Sequence, residues 1–330
     1  MDSVTSPSIA PAAQAPRQFR LLSFSPAQSI AFVLMLAVIL LAPTVGYPIF
    51  LMKILCLALF ACSFNLLGGY GGLISFGHAA YFGLGAYITA WVAKNWGVSP
   101  EVAILLGGLT AGGVGTLFGW VAIRRPGMFF PMITLAVGQM VYFFCLQAPF
   151  TNGEDGIQKV PRGALFGLFP LDNNLVLYWV IAAIFLAGFL LMHRVVHSPF
   201  GQVLKSIRDN EPRAISLGYE TAHYKLITTM LATTIAGIAG GSKAIVFGIA
   251  TLADVGFATS GEALLMTLVG GLGTIFGPVV GATIVASMEN FLSPFGAWVT
   301  VAQGVIFVVC VLMFRSGLIG ELGKKLKISL

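Results

Sequence analysis

The chain has 330 residues, of which 57 % are apolar and only 9 % charged, with 40 glycines, 18 basic and 12 acidic side chains. A soluble domain carries about 25 % charged residues and about 7 % glycine, so this composition excludes a soluble enzyme, a disordered tail and a collagen-like repeat. A membrane-embedded protein remains, and at about 20 residues per bilayer-spanning helix the length leaves room for roughly ten spans. The net charge of +6 would suit nucleic acid only if the basic residues formed a patch. They are dispersed between apolar runs, so no nucleic-acid partner is expected. Cys56, Cys62, Cys145 and Cys310 lie inside apolar runs with no CxxC spacing, which reads as packing rather than metal ligation or disulfides.

Residues 1–29 are polar and rich in Pro and Ala, with Arg17 and Arg20 ahead of the first apolar run and no cleavage-site pattern; they read as a flexible cytosolic tail. Ten apolar runs follow: Ile30–Val45, Ile49–Leu67, Leu73–Trp91, Val102–Ile123, Met128–Leu146, Leu175–Met192, Leu226–Ile249, Glu262–Ile275, Val279–Leu292 and Val299–Phe314. The expected fold is therefore an all-α integral membrane protein of about ten transmembrane helices, with a membrane domain over 30–314 and a basic cytosolic tail over 315–330.

The Lys/Arg distribution orients this arrangement. With the N-terminus cytosolic and all ten runs crossing, thirteen basic residues fall on the inner side and three, Lys94, Lys159 and Arg162, on the outer side, as the positive-inside rule requires. Both termini are then cytosolic. Ten segments divide into five and five, and an odd number inverts the second half relative to the first. At a constant offset of 185, Leu67, Gly71, Ser75, Gly85 and Thr89 meet Leu252, Gly256, Ser260, Gly270 and Thr274, a pattern suited to an inverted repeat.

The stretch Asn65–Tyr87, NLLGGYGGLISFGHAAYFGLGAY, holds seven glycines between 68 and 85. Each costs a helix about 1 kcal/mol relative to Ala, so the chain is expected to unwind around Gly68–Gly72. Non-helical backbone at membrane depth needs protein or a water-lined cavity around it. On that reading Asn65, Ser75, His78 and Tyr81 border a substrate path. The bland alternative is small-residue helix packing, which the Gly68/Gly72 spacing fits. In the second half, Asp254–Gly273 has the same character, with Ser260 and Glu262 opening a helix after a Gly-containing break. Glu262 reads equally well as a first-turn acid favoured by the helix dipole or as a pathway residue. Lys243 either pairs with Asp254 or Glu262 or snorkels, and Lys53 is expected to snorkel.

The longest inner connection is 193–225. Within it Asp209 or Asn210 can cap a helix start, Pro212 suits the first turn, and Gly218 suits a left-handed stop, which predicts a short helix from Glu211 to Leu217. Such a helix is too short to stand alone in water and reads as a docking element for a cytosolic partner. The alternative is a solvated, positive-inside loop.

Four motifs carry a family resemblance, in order along the chain. Ser206–Gly218, SIRDNEPRAISLG, resembles the coupling-loop signature of ABC importer permeases. Leu73–Tyr87 resembles the N-terminal signature of branched-chain amino-acid permeases, which often have Gln where this chain has Leu73. Thr151–Gly156 with Val160-Pro161 resembles the outer loop of the LivM-type member, and Gly270–Ala282 resembles its closing helices. The resemblance spans about Leu51 to Phe314. It implies a permease subunit in a bacterial inner membrane, paired with a second, LivH-type permease subunit and served by two cytosolic ATPase subunits and a periplasmic solute-binding protein. It also implies ATPase-coupling roles for Arg208, Asp209, Glu211, Pro212, Arg213, Ala214 and Gly218. The chain has no G-x-x-x-x-G-K-[ST] motif, the loop that cradles nucleotide phosphates, so no cofactor is expected on it and ATP would be bound by the partner subunits. Branched-chain amino acids are the implied solute, with urea and aromatic acids as alternatives in the same subfamily. A proton-driven secondary transporter would need an intramembrane acid relay, for which only Glu262 and Glu289 qualify, and a channel would need filter-like rings, which are not seen.

Overall fold

The computed structural model describes residues 26–292, less 125–126, 128 and 166–168, together with 296, part of 301–312 and 317–326. Most of the expected N-terminal tail and most of the tenth apolar run lie outside the described residues. Helix starts follow the proline and polar-cap signals of the sequence. α1 is Pro26–Val45, α2 Pro48–Asn65, α3 His78–Asn95, α4 Pro100–Ile123, α5 Phe129–Gln147 and α6 Asn174–His197. α7 is Pro199–Asp209, α8 Glu211–Ser216, α9 Thr221–Phe247, α10 Phe257–Gly270, α11 Gly277–Leu292 and α12 Gly317–Leu326. Proline in the first turn of α2, α4, α7 and α8 removes an N–H that a helix start leaves unpaired anyway.

Among the described residues five helices are long and apolar enough to cross a membrane, spanning Pro48–Tyr70, Pro100–Ile123, Phe129–Gln147, Asn174–His197 and Thr221–Phe247. Shorter apolar helices cover Gln28–Thr44 and Phe257–Gly270. Several boundaries differ from the hydropathy reading. The third run begins as helix only at His78, because the preceding stretch is not helical, and it continues to Asn95. The eighth spans Phe257–Gly270 rather than Glu262–Ile275, since Gly271 and Gly273 take positive φ and end it early. The inner connection is also shorter than 193–225. α6 runs on to His197, and α9 starts at Thr221, because a hydropathy boundary falls at the first charged residue while the helix does not.

The core is a slab of α3, α4 and α9, with α2 packed on α9 and then covered by α6, α10 and α11. Small residues set its spacing. A Cβ on Gly85 would lie 2.3 Å from the Gly237 carbonyl oxygen, and one on Gly240 would lie 1.8 Å from the Phe82 carbonyl oxygen, so the backbones of α3 and α9 are in near contact. Close approach of this kind is how helices associate in lipid, where apolar burial gives no advantage. Away from the slab, α1, α4 and α5 turn Val33, Leu34, Leu109, Leu117, Met132 and Phe143 outward, a surface suited to acyl chains. At the end opposite α7–α8, the 148–173 connection folds over the bundle. Two-residue strands Ile157–Gln158 (β1) and Ile249–Ala250 (β4) pair antiparallel, and Ala164–Leu165 (β2) pairs with Phe169–Pro170 (β3). Arg162 fastens that loop by donating to Asn174 Oδ1 (2.8 Å) and the Val246 carbonyl (3.2 Å).

The tight seam yields a stability test. Gly240→Ala places a methyl against main chain that cannot retreat, so the expected result is loss of the monodisperse species in size-exclusion chromatography of the detergent-solubilised protein. Gly113→Ala faces open space, and with Ala the better helix former by about 1 kcal/mol, it should elute and melt at least as well as the parent.

Candidate functional site

The glycine-rich stretch after α2 breaks the helix in two stages. Residues Leu66–Tyr70 form a π-helical turn, with Gly71 N–H donating to the Leu66 carbonyl (3.1 Å) and Leu73 N–H to the Leu67 carbonyl (3.0 Å). Helix is then abandoned until His78. Unwinding therefore starts at Gly71, slightly later than the glycine density alone indicates. Gly77 lies against α5, where a Cβ would meet the Thr134 carbonyl oxygen at 1.9 Å, and Thr134 Oγ1 accepts the Phe76 N–H (3.2 Å).

The start of α10 meets the start of α3. Ser260 Oγ accepts the Ala79 N–H at 2.9 Å, so a side chain of one broken segment caps the opening turn of the other. From that contact the two helices leave in opposite directions. α3 ends near Lys94, which donates to the Gln158 carbonyl (3.0 Å) in the connection between α5 and α6, whereas α10 ends beside Arg208 at the α7–α8 end. Of the residues paired by the offset of 185, Gly71 and Gly256 both close a short non-α turn, whereas Ser75 is in the non-helical stretch before α3 and Ser260 in the first turn of α10.

His78 is wholly buried among Phe60, Phe64 and Tyr81. Ser63 Oγ donates to the Phe60 carbonyl (2.6 Å) and lies 2.9 Å from His78 Nε2. With the hydroxyl hydrogen committed, Nε2 is the donor to Ser63, and Nδ1 is left as an acceptor. Among the described residues Ser75 Oγ and His78 Nδ1 are buried without a hydrogen-bond partner. Asn65 is equally buried and makes two bonds to the α10–α11 turn: Nδ2 donates to the Thr274 carbonyl (2.7 Å), and Oδ1 accepts the Gly273 N–H (2.8 Å). Of the residues singled out along the broken stretches, Asn65, Ser75, His78, Tyr81 and Ser260 are thus enclosed by protein, while Glu262 is half-buried.

Charge is concentrated at membrane depth around α2, α9, α10 and α11. Lys53 Nζ donates to Glu289 Oε2 at 2.6 Å, so Lys53 is paired across helices rather than snorkelling, with a partner 236 residues away that hydropathy cannot reveal. Lys243 pairs with Asp254, whose second carboxylate oxygen accepts from Thr251 N–H and Oγ1. Glu262 feels the charges of Glu289, Lys243, Lys53 and Asp254 and makes no hydrogen bond among the described residues.

At the far end of α6 the chain forms two short helices rather than one. α7 was not foreseen, although Ser198 accepting the Gly201 N–H (3.3 Å) and apolar residues at 200, 203, 204 and 207 supply its signal. Asn210 caps α8 by accepting the Arg213 N–H (3.1 Å), and Gly218, at φ +87°, ends it one residue earlier than expected. Lys225 Nζ ties α8 to α9 through Glu211 Oε1 (2.5 Å). Ala214 faces inward, while Pro212, Arg213, Ile215, Leu217 and Tyr219 are exposed, Leu217 at 68 %. Asp209 closes α7, and Arg208 reaches inward to the Gly69 carbonyl (2.7 Å). A cavity of about 660 Å³ separates Gly71–Ile74 from α8 and the α4–α5 turn. Among the described residues no group of three or more His, Cys, Asp or Glu is placed to hold a metal.

The partly buried Lys243–Asp254 pair, which joins α9 to the turn before α10, gives a direct test. Removing one partner of a buried ion pair costs about 3–5 kcal/mol, so Lys243→Met should lower the melting temperature in micelles by several degrees. Adding Asp254→Asn, which keeps an acceptor for Thr251, should recover most of that loss.

Comparison with known proteins follows the same lines. A family model described as branched-chain amino acid transport system / permease component matches residues 46–314. The high-affinity branched-chain amino acid transport system permease protein LivM of Salmonella typhimurium is 24 % identical over 287 residues, covering 80 % of this chain and 68 % of that protein. The ribose import permease protein RbsC of Bacillus subtilis is 26 % identical over 313 residues, covering 86 % and 90 % respectively. LivH of Escherichia coli is 22 % identical over 289 residues, covering 80 % and 91 %. No solved structure matches the chain. Apolar helices long enough to cross a bilayer and a family match over most of the length lead to one conclusion: the chain is a multi-pass membrane protein that belongs to the family of branched-chain amino acid transport system permease components.

Proposed function

We propose that the chain is the membrane-spanning subunit of an ATP-driven importer that carries branched-chain amino acids, or a related small polar or carboxylate solute, into the cytosol. The observation that carries this reading is α8 in a chain of permease lineage. It is a six-residue helix, too short to persist alone, yet it is capped at both ends, tethered to α9 by Glu211–Lys225 and fringed by exposed Ile215, Leu217 and Tyr219. A rigid, partly apolar knob of this kind fits a groove on a separate cytosolic protein, here an ATPase. Glu211, Pro212, Arg213, Ala214 and Gly218 form or hold that knob, and Asp209 ends the helix before it.

On this reading a second, LivH-type permease completes the membrane unit and a periplasmic protein delivers the solute. The broken starts of α3 and α10 border the path, since helix N-termini attract carboxylates and such breaks mark binding regions in transporters. Ser75, His78, Tyr81, Ser260 and Glu262 are the side chains nearest that path, and Asn65 steadies it through the α10–α11 turn.

The deciding experiment is copurification with the ATPase and solute-binding subunits, followed by ATP hydrolysis with Leu, Ile, Val, urea, aromatic acids and ribose in turn. Stimulation by the branched-chain amino acids is the expected outcome. Stimulation by another solute reassigns the substrate, and uptake that persists without ATP removes the importer reading altogether. In the same preparation Glu211→Lys, which sets two ammonium groups against each other, and Gly218→Pro, which cannot take a positive φ, should abolish solute-stimulated hydrolysis while the chain still inserts.

A further inference from the structure

Three segments remote in sequence converge on the end of α7. The π turn leaves the Gly69 carbonyl without a main-chain donor, because Leu73 N–H, its normal helical partner, goes to the Leu67 carbonyl instead. Arg208 Nη1 takes that carbonyl at 2.7 Å, while Nε and Nη2 donate to Asp209 Oδ1 at 3.1 and 2.9 Å. One planar guanidinium is therefore clamped on a carboxylate along one edge and on the broken helix along another. Lys205, one turn earlier on α7, places its ammonium 5.5 Å from the centre of the Tyr70 ring, at the end of the same π turn. Burial and the neighbouring Arg208 hold the Lys205 ammonium below the usual lysine range.

The π turn is in turn locked to the α10–α11 hairpin. A Cβ on Gly69 would lie 2.2 Å from Asn65 Oδ1 and 2.7 Å from Gly273 N, and Asn65 holds both Gly273 and Thr274. A Cβ on Gly72 would strike Arg208 Cγ at 2.8 Å. Beside this packed junction lies the cavity of about 660 Å³, so α8 has little else against the 71–74 stretch.

We infer that Arg208 is a positioning residue for transport: it transmits displacement of the α7–α8 pair to the α2 break and, through Asn65, to the α10–α11 hairpin. The inference rests on the importer reading above. Its chemistry requires arginine, because only a fork of coplanar N–H groups serves a carbonyl and a carboxylate together, and a lysine ammonium lacks that geometry. Motion of α8 alone would otherwise be absorbed by the adjoining cavity.

The test uses the complete transporter in proteoliposomes, with solute uptake and ATP hydrolysis measured on the same vesicles for the parent, Arg208→Lys, Arg208→Gln and Asp209→Asn. Loss of one charge-assisted hydrogen bond corresponds to roughly tenfold or more, so solute moved per ATP should fall about that much in Arg208→Gln and Arg208→Lys. Asp209→Asn, which loosens one edge of the clamp, should fall less. Hydrolysis stimulated by the loaded binding protein should persist, a split that simple destabilisation would not produce. If Arg208→Gln fails to assemble, Arg208→Lys and Asp209→Asn decide. Unchanged solute per ATP in these two, or a parallel fall of uptake and hydrolysis, overturns the inference. A parent complex that takes up no solute on hydrolysis instead overturns the importer reading itself.

Discussion

A helix broken at the end of a membrane span frees peptide groups that must find new partners, and this constraint organises the rest of the molecule. Each buried group left unpaired costs several kcal/mol, so irregular backbone cut off from water survives only where protein supplies those partners. Here groups freed between Leu66 and Ala79 are met from three directions. Arg208 comes from α7, Thr134 from α5 and Ser260 from α10, while Asn65 on α2 serves the matching irregular turn at 271–274. The break is thus a point at which distant parts of the chain are held in register. It also explains why α2 is almost entirely buried beyond its first turns although it would be long enough to face lipid.

The molecule divides mechanically along the same lines. α3, α4 and α9 are joined by backbones in near contact, where even a methyl group has no room, and close-packed interiors of this kind resist deformation. α2 is joined to the α10–α11 hairpin instead through side-chain hydrogen bonds and an ion pair, Lys53–Glu289 and the Asn65 contacts, while α10 and α11 themselves meet at Gly270 and Gly281 as closely as α3 and α9 do. Hydrogen bonds between side chain and backbone can exchange partners in a way that interlocked glycine surfaces cannot. The exchangeable contacts therefore lie between α2 and the hairpin, with a close-packed body on either side of them.

Much of this was legible in the chain itself. Dense apolar runs with few charges could only be membrane helices, and Asn210, Pro212 and Gly218 were enough to place α8 to within a residue, because capping is a local matter. The glycines between 68 and 77 marked the break for the same reason. What could not be read were relationships across the fold. Nothing near Lys53 points to Glu289, and nothing near Arg208 points to Gly69, since both pairings depend on how helices distant in sequence are stacked. α7 is a different case: Ser198-Pro199 followed by apolar residues at helical spacing was a readable signal, obscured by treating the whole 193–225 stretch as connection. Hydropathy also misplaced the end of α10, because it weighs composition and cannot see that Gly271 and Gly273 end the helix through their backbone angles.

The meeting point of α3 and α10 has an energetic asymmetry. Ser75 Oγ and His78 Nδ1 are both buried with no partner among the described residues, and an unmet buried polar group of this kind forgoes on the order of 1 to 3 kcal/mol of hydration. Any arrangement of the chain that admits water or a polar solute to this point regains that hydration. Two groups with unused bonding capacity, set side by side at the junction of two broken segments, would thus return part of the desolvation cost of any polar molecule that came between α3 and α10.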